Sequence, residues 1–475
     1  MNTPNTPSPL VWMHLGLGSF HRAHQAVYLQ ALHDTGDQTW VLASGNIRND
    51  APELMTQLAE RGGAFVLETV TPQGQREYKE IRAIRQVIPH DSDLSAFKKL
   101  AVDPSTRIIS FTVTEAGYYL DDKDQLDRRF EELVHDIEKV RSGQAGQTLY
   151  GALFALLKAR AIQSPNSAIT LLNCDNLRHN GDRSRKGLLQ FIQAVGDQAL
   201  LDWVQKWTTS PNAMVDRITP RPTPDVSQRV LEHTGMADPT AVMGESFIQW
   251  VIEENFANGR PNWERVGVQM VEDVSPYEEA KIRLLNATHS CIAWAGTLIG
   301  YQYIHEGTRH DAIRRLAYEY VTSDTIPVLD TPEHPCPVDL PKYRDVVIDR
   351  FSNPNIVDTN QRVAMDGFSK IPGFIAPTIR QRLQRNESID AVIMLPALFL
   401  AFLQRWHVNK IPYQYQDQAM SPDTAHAICE ASDPVLSFAS NAMLWGELAQ
   451  DPRLVAALRA AMIRVDSFIK EHSHV

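Results

Sequence analysis

The sequence predicts an α/β protein of two domains, with a parallel sheet in the N-terminal part and mostly helices in the C-terminal part. The chain has 475 residues, a length beyond which one hydrophobic core stops growing. In the first half, short apolar segments rich in β-formers alternate with helical patterns, as is typical of parallel α/β sheets. After about Tyr277 strand signals nearly vanish, and helical periodicity continues to Lys470. We therefore expect domains at residues 1–276 and 277–475.

The elements of the first domain follow from this alternation. Strands are expected at Leu10–Leu15, Trp40–Ala43, Arg107–Thr114 and Ala168–Asn173. Helices are expected at Gln25–Leu32, Pro52–Glu60 and Leu126–Val140, where apolar residues recur at helical spacing. Residues 65–85 have the pattern of antiparallel strands joined by a turn at 71–74, so they are expected to add strands to the parallel sheet.

The composition excludes several classes of protein. The formal net charge is −11, whereas nucleic-acid binding needs a face rich in Lys and Arg, so no nucleic-acid partner is expected. The four cysteines form no CxxC pair, which argues against a disulfide scaffold or a thiolate zinc site and fits a cytoplasmic location. Residues 1–9 lack the pattern of a secretory signal.

Two apolar segments, at 290–304 and 391–403, could be mistaken for membrane spans. Both are shorter than a bilayer requires, and Pro396 interrupts the second. We expect them to be buried helices, with no membrane partner. Gly296 and Gly300 in the first segment are expected to permit the close approach of a neighbouring helix.

A glycine-rich segment, His14-Leu15-Gly16-Leu17-Gly18-Ser19-Phe20-His21, follows the first strand and precedes a helix. Such a turn can bind a dinucleotide pyrophosphate, because Gly16 permits the tight turn, Gly18 permits close approach, and the next helix supplies amide donors. His21 occupies the position of the usual third glycine. The motif alone is therefore as compatible with a structural turn as with a phosphate site.

A dinucleotide site also needs an acceptor for the ribose hydroxyls after the second strand. Asp50 is the nearest acid, and a carboxylate there favours NAD because it repels the extra phosphate of NADP. Arg48 could instead bind that phosphate. Asp50 could also cap the helix that begins at Ala51.

The densest group of polar residues opens the second domain, with Glu278, Lys281, Asn286 and His289 preceding a long apolar helix. At about 100° per residue, these four side chains fall within roughly 140° of one another, on one helical face. Oxidation of a secondary alcohol needs a base, and desolvation can lower a lysine pKa toward neutrality. An asparagine amide suits a developing oxyanion. The helix alone nevertheless favours a structural interpretation, with a surface ion pair and a satisfied core histidine.

Several motifs in order resemble the polyol-specific long-chain dehydrogenases/reductases of the mannitol dehydrogenase family. They are residues 16–25, Thr112-Val113-Thr114-Glu115, Asn173-Cys174-Asp175-Asn176, residues 212–220, the Lys-x4-Asn-x2-His pattern on Lys281, Asn286 and His289, and Asp366-Gly367-Phe368-Ser369-Lys370. The resemblance covers nearly the whole chain. It implies a Rossmann-type NAD-binding domain with extra strands, a helical catalytic domain, a metal-independent mechanism and a monomer.

The resemblance also implies roles for individual residues. Lys281 is expected to be the acid/base, Asn176 and Asn286 the oxyanion hole, and His289 a further catalytic residue. Asn180 is an alternative to Asn176, which could also be a turn residue. The expected substrate-binding residues are Asp216, Arg362 and Lys370; the proton path is Glu278 and Glu115; and the cofactor-binding residues are Gly16, Gly18, Ser19, Phe20, His21, Arg22 and Asp50.

The resemblance further bears on the substrate. Residues 46–50, 178–181 and 244–250 are most similar to members that oxidise D-arabinitol to D-xylulose. Phe368, where many relatives carry a small residue, fits a difference in pocket shape. Alternatives are mannitol or another hexitol, a uronate whose carboxylate binds Arg362, a non-catalytic NAD sensor, and a zinc enzyme with His21 and His24, or His334 and Cys336, as ligands.

Overall fold

The computed structural model describes residues 8–113, 115–121 and 123–473 of the chain. It forms two compact units. The first contains the residues up to Val70 and Arg76–Ser275, and the second contains Thr71–Gln75 and the residues from Pro276 onward. The short segment Thr71–Gln75 is the turn of a hairpin, and its membership in the second unit was not predicted. There the Asn353 amide donates to the Thr71 carbonyl at 3.1 Å.

The first unit is built on a six-stranded sheet whose strands are all parallel, in the order β5-β2-β1-β6-β7-β8. These strands are β1 (Leu10–Leu15), β2 (Trp40–Gly45), β5 (Ile84–Ile88), β6 (Thr106–Phe111), β7 (Ile169–Asn173) and β8 (Thr208–Thr209). Trp12, Met13 and Leu15 of β1 are completely buried, as expected of a central parallel strand covered on both faces. The predicted fold class is confirmed.

Two three-stranded sheets complete the β-structure of this unit. One has the order β10-β3-β4, with β3 (Phe65–Val70) antiparallel to β4 (Arg76–Ile81) and parallel to β10 (Val242–Glu245). The other has the order β12-β11-β9, formed by β9 (Ala213–Asp216), β11 (Gln249–Glu253) and β12 (Gln269–Val271). The hairpin predicted within residues 65–85 is therefore present, although residues 84–88 belong to the main sheet instead.

The helices of the first unit connect and cover the strands. They are α1 (Ser19–Ala23), α2 (Gln25–Asp34), α3 (Pro52–Glu60), α4 (Ser95–Val102), α5 (Glu131–Arg141), α6 (Leu149–Gln163), α7 (Asn180–Val195), α8 (Gln198–Trp207) and α9 (Pro224–Thr234), with 3₁₀ turns at Glu115–Tyr118 and Trp263–Val266. Helix α5 begins five residues later than predicted. Asp127 accepts a hydrogen bond from the Arg129 amide at 2.9 Å, and such local turns compete with helix formation.

From Pro276 onward, the described residues form helices, and their β-pairing is limited to one isolated bridge between Tyr303 and Thr359. The α-helices are α10 (Ser275–Ala280), α11 (Ala287–Ile299), α12 (Ile304–Arg309), α13 (Asp311–Tyr320), α14 (Ile326–Leu329), α15 (Leu340–Phe351), α16 (Asn360–Ala364), α17 (Gly367–Lys370), α18 (Ala376–Gln384), α19 (Met394–His407), α20 (Pro422–Glu430), α21 (Pro434–Ala439), α22 (Ala442–Trp445) and α23 (Pro452–His472). Three π-helical segments, Lys281–Asn286, Val321–Thr325 and Ile371–Ile375, interrupt them, and Gly446–Leu448 is 3₁₀.

Helices α11 and α19 form the centre of the second unit. Both are buried around most of their circumference, which explains the two long apolar segments of the sequence. Trp294 and Phe399 contact each other across them, with ring centroids 4.9 Å apart. A Cβ on Gly296 would approach the Asn360 amide nitrogen to 2.8 Å, so this glycine permits α16 to pack closely. Gly300 has φ +97° and ends α11. No helix among the described residues is long and apolar enough to cross a membrane.

Candidate active site

The carboxyl ends of four parallel strands form one edge of the main sheet. The register aligns Leu15 of β1 with Gly45 of β2 and Phe111 of β6, and aligns Phe111 with Asn173 of β7. Ligands of open α/β sheets bind outside this edge. A cavity of about 860 Å³ lies there, and its lining includes Gly16, Leu17, Gly18, Ser19, Phe20, Asn46, Arg48, Asp50, Thr112, Val113, Asp175, Asn176 and Val215.

The glycine loop fits a dinucleotide in this cavity. Gly16 has φ +109°, and a Cβ there would lie 2.2 Å from the Thr112 carbonyl oxygen, so only glycine is compatible with this turn. A Cβ on Gly18 would meet nothing closer than 4.0 Å, which leaves space for a phosphate. Gly18 precedes α1, and no described side chain caps this helix, so the amides of its first turn are available to an anion.

Asp50 and Arg48 both line the cavity but differ in their partners. The Arg48 guanidinium donates to the Tyr119 hydroxyl at 3.2 Å and forms an ion pair with Glu132. Asp50 accepts a long hydrogen bond from Asn46 at 3.4 Å. Ala51 occupies the N-cap position of α3, and no described side chain caps this helix. Asp50 therefore does not act as the cap of α3.

His21 and Arg22, which were predicted to bind the cofactor, have side chains that do not line the cavity. Both side chains are buried in the first unit. Arg22 donates to the Thr240 carbonyl, and His21 stacks on His14 with ring centroids 3.5 Å apart. Of the predicted cofactor-binding residues, these two therefore have side chains with protein partners inside the first unit, and their assignment to the cofactor stays a prediction.

The His14 side chain supports the glycine loop through a hydrogen bond to its backbone. Its Nε2 lies 3.2 Å from the Gly16 carbonyl oxygen, which can only accept, so Nε2 carries the proton. Its Nδ1 then accepts from the Ser110 hydroxyl at 2.6 Å, and Ser110 accepts from the Trp12 indole. Burial lowers the pKa of His14 to about 3, and burial and His14 together hold the pKa of His21 well below its ordinary value. Both rings are therefore neutral at physiological pH.

Of the two candidate asparagines after β7, Asn176 lines the cavity. Asn180 is completely buried and donates to the carbonyls of Asp175 at 3.0 Å and Ala213 at 2.7 Å, while its side-chain oxygen accepts from the Ala213 amide at 2.9 Å. These bonds hold β9 against the start of α7. Asn180 therefore has a structural position, and Asn176 is the one of the two that lines the cavity.

Two further predicted residues belong to the first unit. Asp216 ends β9 and is buried, opposite Gln249 of β11. Glu115 begins a 3₁₀ turn, but its side chain, the predicted part of a proton path, lies outside the described residues, as does Thr114.

In the second unit, the predicted Lys281 helix is wider than an α-helix. Lys281–Asn286 is π-helical, so an angle of 100° per residue does not apply there, and the predicted common face does not follow from it. Lys281 and Glu278 are 6% and 4% exposed, and Asn286 and His289 are half-buried. The surface ion pair of the structural interpretation is therefore excluded.

Tyr320 satisfies the carbonyl groups of the π-helical segment. Its hydroxyl donates to the carbonyls of Arg283 at 3.2 Å and Leu284 at 3.3 Å, and lies 2.6 Å from the Thr288 hydroxyl. A π-turn displaces carbonyls from their α-helical partners, and buried carbonyls need replacements. Sequence reasoning missed Tyr320, because no local pattern relates it to Lys281.

The predicted substrate residues of this unit are joined by an unpredicted one, Asp358. Arg362 donates to both carboxylate oxygens of Asp358, at 2.7 and 2.5 Å. His289 Nε2 lies 3.1 Å from the same carboxylate. Lys370 donates to the Val363 carbonyl at 2.5 Å, and desolvation lowers its pKa to about 8. The only sequence signal for Asp358 was its spacing of four residues from Arg362.

Phe368 lies in the core of the second unit. It is 1% exposed and packs edge-on against Phe399, with ring centroids 6.0 Å apart. Any influence of Phe368 on pocket shape is therefore indirect.

The alternative of a zinc enzyme requires a cluster of ligands. The described residues contain no group of three or more His, Cys, Asp or Glu side chains that could hold a metal ion. His21 Nε2 lies 3.2 Å from the Ser44 hydroxyl, and His24 Nε2 lies 2.9 Å from the Gln249 carbonyl. Protein partners therefore occupy these two ring nitrogens.

The parallel sheet with its glycine loop, followed by a helical unit that buries a lysine, defines a two-domain oxidoreductase of the dinucleotide-binding class. Residues 11–265 match the mannitol dehydrogenase Rossmann domain, and residues 273–466 match the mannitol dehydrogenase C-terminal domain. The chain belongs to the mannitol dehydrogenase family, as the motif resemblance predicted.

Relatives and a solved structure agree with this membership. The chain is 51% identical to D-arabinitol 4-dehydrogenase of Klebsiella pneumoniae, over 96% of this chain and 98% of that protein. It is 54% identical to D-arabinitol 4-dehydrogenase of Ralstonia nicotianae, over 96% and 97%. The Pseudomonas fluorescens mannitol 2-dehydrogenase ternary complex with NAD and D-mannitol superposes with a TM-score of 0.81, at 31% identity, over 98% of this chain and 94% of that one.

Replacement of Gly16 by Ala should abolish dinucleotide binding. The added Cβ collides with the Thr112 carbonyl, so the loop must move, and the free energy of unfolding should fall by about 1–3 kcal/mol. Titration of NADH by fluorescence and chemical unfolding measure both effects. Gly36→Ala is the matched control, because Gly36 also has positive φ but a Cβ there meets nothing within 4 Å. Equal NADH affinity in the two variants would contradict this account of the loop.

Replacement of Tyr320 by Phe should loosen the π-helical segment while keeping the ring. Loss of the hydrogen bonds to the Arg283 and Leu284 carbonyls should lower the free energy of unfolding by about 1–2 kcal/mol. Hydrogen exchange, followed by mass spectrometry, should accelerate in peptides covering residues 281–290. Tyr318→Phe is the control, since Tyr318 lies on the same helix but is 43% exposed. Unchanged exchange in the Tyr320 variant would show that its hydroxyl does not hold this segment.

Proposed function

We propose that this polyol dehydrogenase uses NAD to oxidise D-arabinitol to D-xylulose, with Lys281 as the general base. The observation that carries the proposed mechanism is the burial of Lys281 on a π-helical segment shared with Asn286. The substrate rests on the two D-arabinitol 4-dehydrogenases that match the chain at 51% and 54% identity over almost its full length.

Lys281 takes the proton of the reacting hydroxyl group. An amine can do this only when neutral, and burial favours the neutral form of a lysine. When bound, NAD supplies the acceptor for the hydrogen and electron pair that leave the carbinol carbon. The proton taken by Lys281 then passes toward solvent, and Glu278, three residues earlier and 4% exposed, is the proposed first relay.

Asn176 and Asn286 stabilise the oxygen on which negative charge develops. Both side-chain amides donate hydrogen bonds without carrying charge, so they stabilise an oxyanion without raising the affinity for anions in general. Asn176 lines the cavity of the first unit, and Asn286 ends the π-helical segment of the second. His289 orients a substrate hydroxyl, while Asp216, Arg362 and Lys370 bind the remaining hydroxyl groups.

The cavity favours NAD over NADP. Asp50 lines the cavity after β2, where a carboxylate repels a ribose phosphate. Arg48, the competing candidate for a phosphate partner, is bound to Glu132 and Tyr119. A 2′-phosphate would have to displace these partners before it could use the guanidinium group.

The alternative substrates are less compatible with the second unit. A uronate would place a second carboxylate beside that of Asp358, with which Arg362 is already paired, and two like charges at one position repel each other. A hexitol such as mannitol differs from D-arabinitol by one carbon and remains the second candidate, because the chain shares its fold with a mannitol 2-dehydrogenase. A non-catalytic sensor would not need a buried lysine, whose desolvation is unfavourable.

A substrate panel tests the proposed reaction. The oxidation of D-arabinitol, D-mannitol, L-arabinitol and xylitol should be measured with NAD and, separately, with NADP as the cofactor, from the absorbance of the reduced cofactor. The reduction of fructuronate should be measured in the reverse direction. D-arabinitol with NAD should give the highest kcat/KM, and the product should be D-xylulose. Preferential reduction of fructuronate, or a preference for NADP, would overturn the substrate or the cofactor assignment, and NADH binding without any turnover would favour the sensor.

Replacement of Lys281 by Ala should remove the base without affecting the cofactor cavity. We expect kcat for polyol oxidation to fall by about 10²- to 10⁴-fold, while the Kd of NADH stays within a factor of about two. Steady-state kinetics and fluorescence titration measure these quantities. Lys342→Ala is the control, because Lys342 is an exposed lysine on α15 of the same unit. Near wild-type turnover of the Lys281 variant would refute its assignment as the base.

A further inference from the structure

Asp358 lies at the centre of a charged group that no sequence pattern singled out. Its side chain is only 8% exposed, and its carboxylate contacts His289 Nε2 at 3.1 Å and the Arg362 guanidinium at 2.7 and 2.5 Å. Although burial alone would raise the pKa of Asp358, its bonds to His289 and Arg362 hold that pKa well below its ordinary range. Asp358 is therefore a carboxylate at every physiological pH, and it can only accept hydrogen bonds.

The backbone holds Asp358 rigidly relative to the helix that carries His289. The Ile304 amide donates to the Asp358 carbonyl at 2.9 Å, and the Asn360 amide donates to the Gln302 carbonyl at 2.9 Å. Residues 301–304 directly follow the end of α11 at Gly300, so the segment around Asp358 is attached to the same helix as His289. The hydrogen bonds between these two backbone segments therefore fix the distance between the side chains of Asp358 and His289.

The residue before Asp358 is in a strained conformation. Val357 has φ +53°, a region that a β-branched residue adopts only when its surroundings impose it. It is also 56% exposed, so packing of its own side chain does not explain the strain. Strain of this kind is concentrated where a neighbouring group must be held in a particular position, and the neighbour here is Asp358.

The carboxylate favours one nitrogen of His289 as the carrier of the proton. Nε2 lies 3.1 Å from a carboxylate oxygen, although its N–H direction falls outside hydrogen-bond geometry. Because Asp358 can only accept, it attracts a proton on Nε2, and Nδ1 of neutral His289 is then left as the acceptor. The ring stacks on Phe351 with centroids 4.2 Å apart, so it cannot rotate freely. Burial lowers the pKa of His289, Asp358 opposes this shift, and Arg362 and Lys370 add to it. Burial, with a smaller contribution from Arg362 and Lys370, thus keeps the pKa of His289 below its ordinary value in spite of the neighbouring carboxylate.

We propose that Asp358 is a positioning residue, which holds His289 in the Nε2–H tautomer so that Nδ1 accepts a hydrogen bond from a substrate hydroxyl. The proposal rests on the role of His289 in the proposed function. The substrate class follows from this chemistry: an acceptor nitrogen selects a hydroxyl donor and does not bind a carboxylate.

The tautomer can be measured without any substrate. In protein labelled with ¹⁵N-histidine, the His289 signals, identified by their loss in His289→Gln, should show protonated Nε2 and unprotonated Nδ1 at neutral pH. Protonated Nδ1 or imidazolium in the wild-type protein would overturn the proposal. This measurement depends neither on turnover nor on the folding of an Asp358 variant.

Asp358→Asn then tests the functional consequence. Arg362 offers only donors, so the amide oxygen should turn toward it and the amide N–H toward His289. The His289 proton should then move to Nδ1, the nitrogen proposed to accept from substrate. We expect KM for the polyol to rise about 10- to 100-fold, as for loss of a charge-assisted hydrogen bond, with the Kd of NADH unchanged.

Asp349→Asn is the matched control, because Asp349 pairs with Arg314 at 3.5 Å on the surface of the same unit. It should leave the tautomer and KM as in the wild type. A tautomer switch in Asp358→Asn without any change in KM or kcat would overturn the positioning role. If the wild-type protein showed the expected tautomer but oxidised no polyol, the proposed function would fail and the assignment of Asp358 to His289 would stand.

Discussion

The burial of one amine, that of Lys281, is the constraint on which the proposed chemistry depends. Removing an ammonium group from water is unfavourable unless the surroundings compensate for it or the group becomes neutral. The π-helical segment that carries Lys281 continues directly into the apolar helix α11, which is buried along nearly its whole length. The stability of that helix therefore supports the position of a residue whose own burial is costly.

The π-helical geometry adds a second requirement, because a wider turn leaves carbonyls without their α-helical partners. The Tyr320 hydroxyl donates to the carbonyls of Arg283 and Leu284 within this segment, and it also contacts the Thr288 hydroxyl. The segment also packs against the other two π-helical segments, Val321–Thr325 and Ile371–Ile375. Such segments are rare and are frequently found at functional sites. In this chain they connect the placement of Lys281 to helices distant in sequence, so that an unfavourable local geometry is maintained by tertiary packing.

The sequence predicted much of the fold because its signals were local. The apolar segment of β1 and the helix Pro52–Glu60 were predicted at their observed bounds, and Gly16 was assigned to a turn that only glycine can adopt. Features that depend on tertiary contacts could not be predicted. A π-turn leaves no trace in periodicity, so the helical wheel at Lys281 assumed 100° per residue where the segment is π-helical. The motif includes His21 and Arg22, but it does not reveal that their side chains are buried within the first unit. Asp358 was missed because its two partners lie 69 residues before it and four after it, and only the fold brings them together.

The pairing of Asp358 with Arg362 also bears on the proposal that this chain oxidises a neutral polyol rather than converting an acidic sugar. A guanidinium group in an unpaired state would attract any carboxylate, whereas here both donors that Arg362 uses are bound to a carboxylate that the protein itself supplies. An acidic substrate at this position would bring a second carboxylate close to that of Asp358, and like charges repel each other. A polyol hydroxyl carries no charge, and in the proposed function it binds as a donor to His289 or as an acceptor from Lys370. In that proposal, the internal ion pair therefore disfavours charged substrates through the charge that Asp358 already supplies.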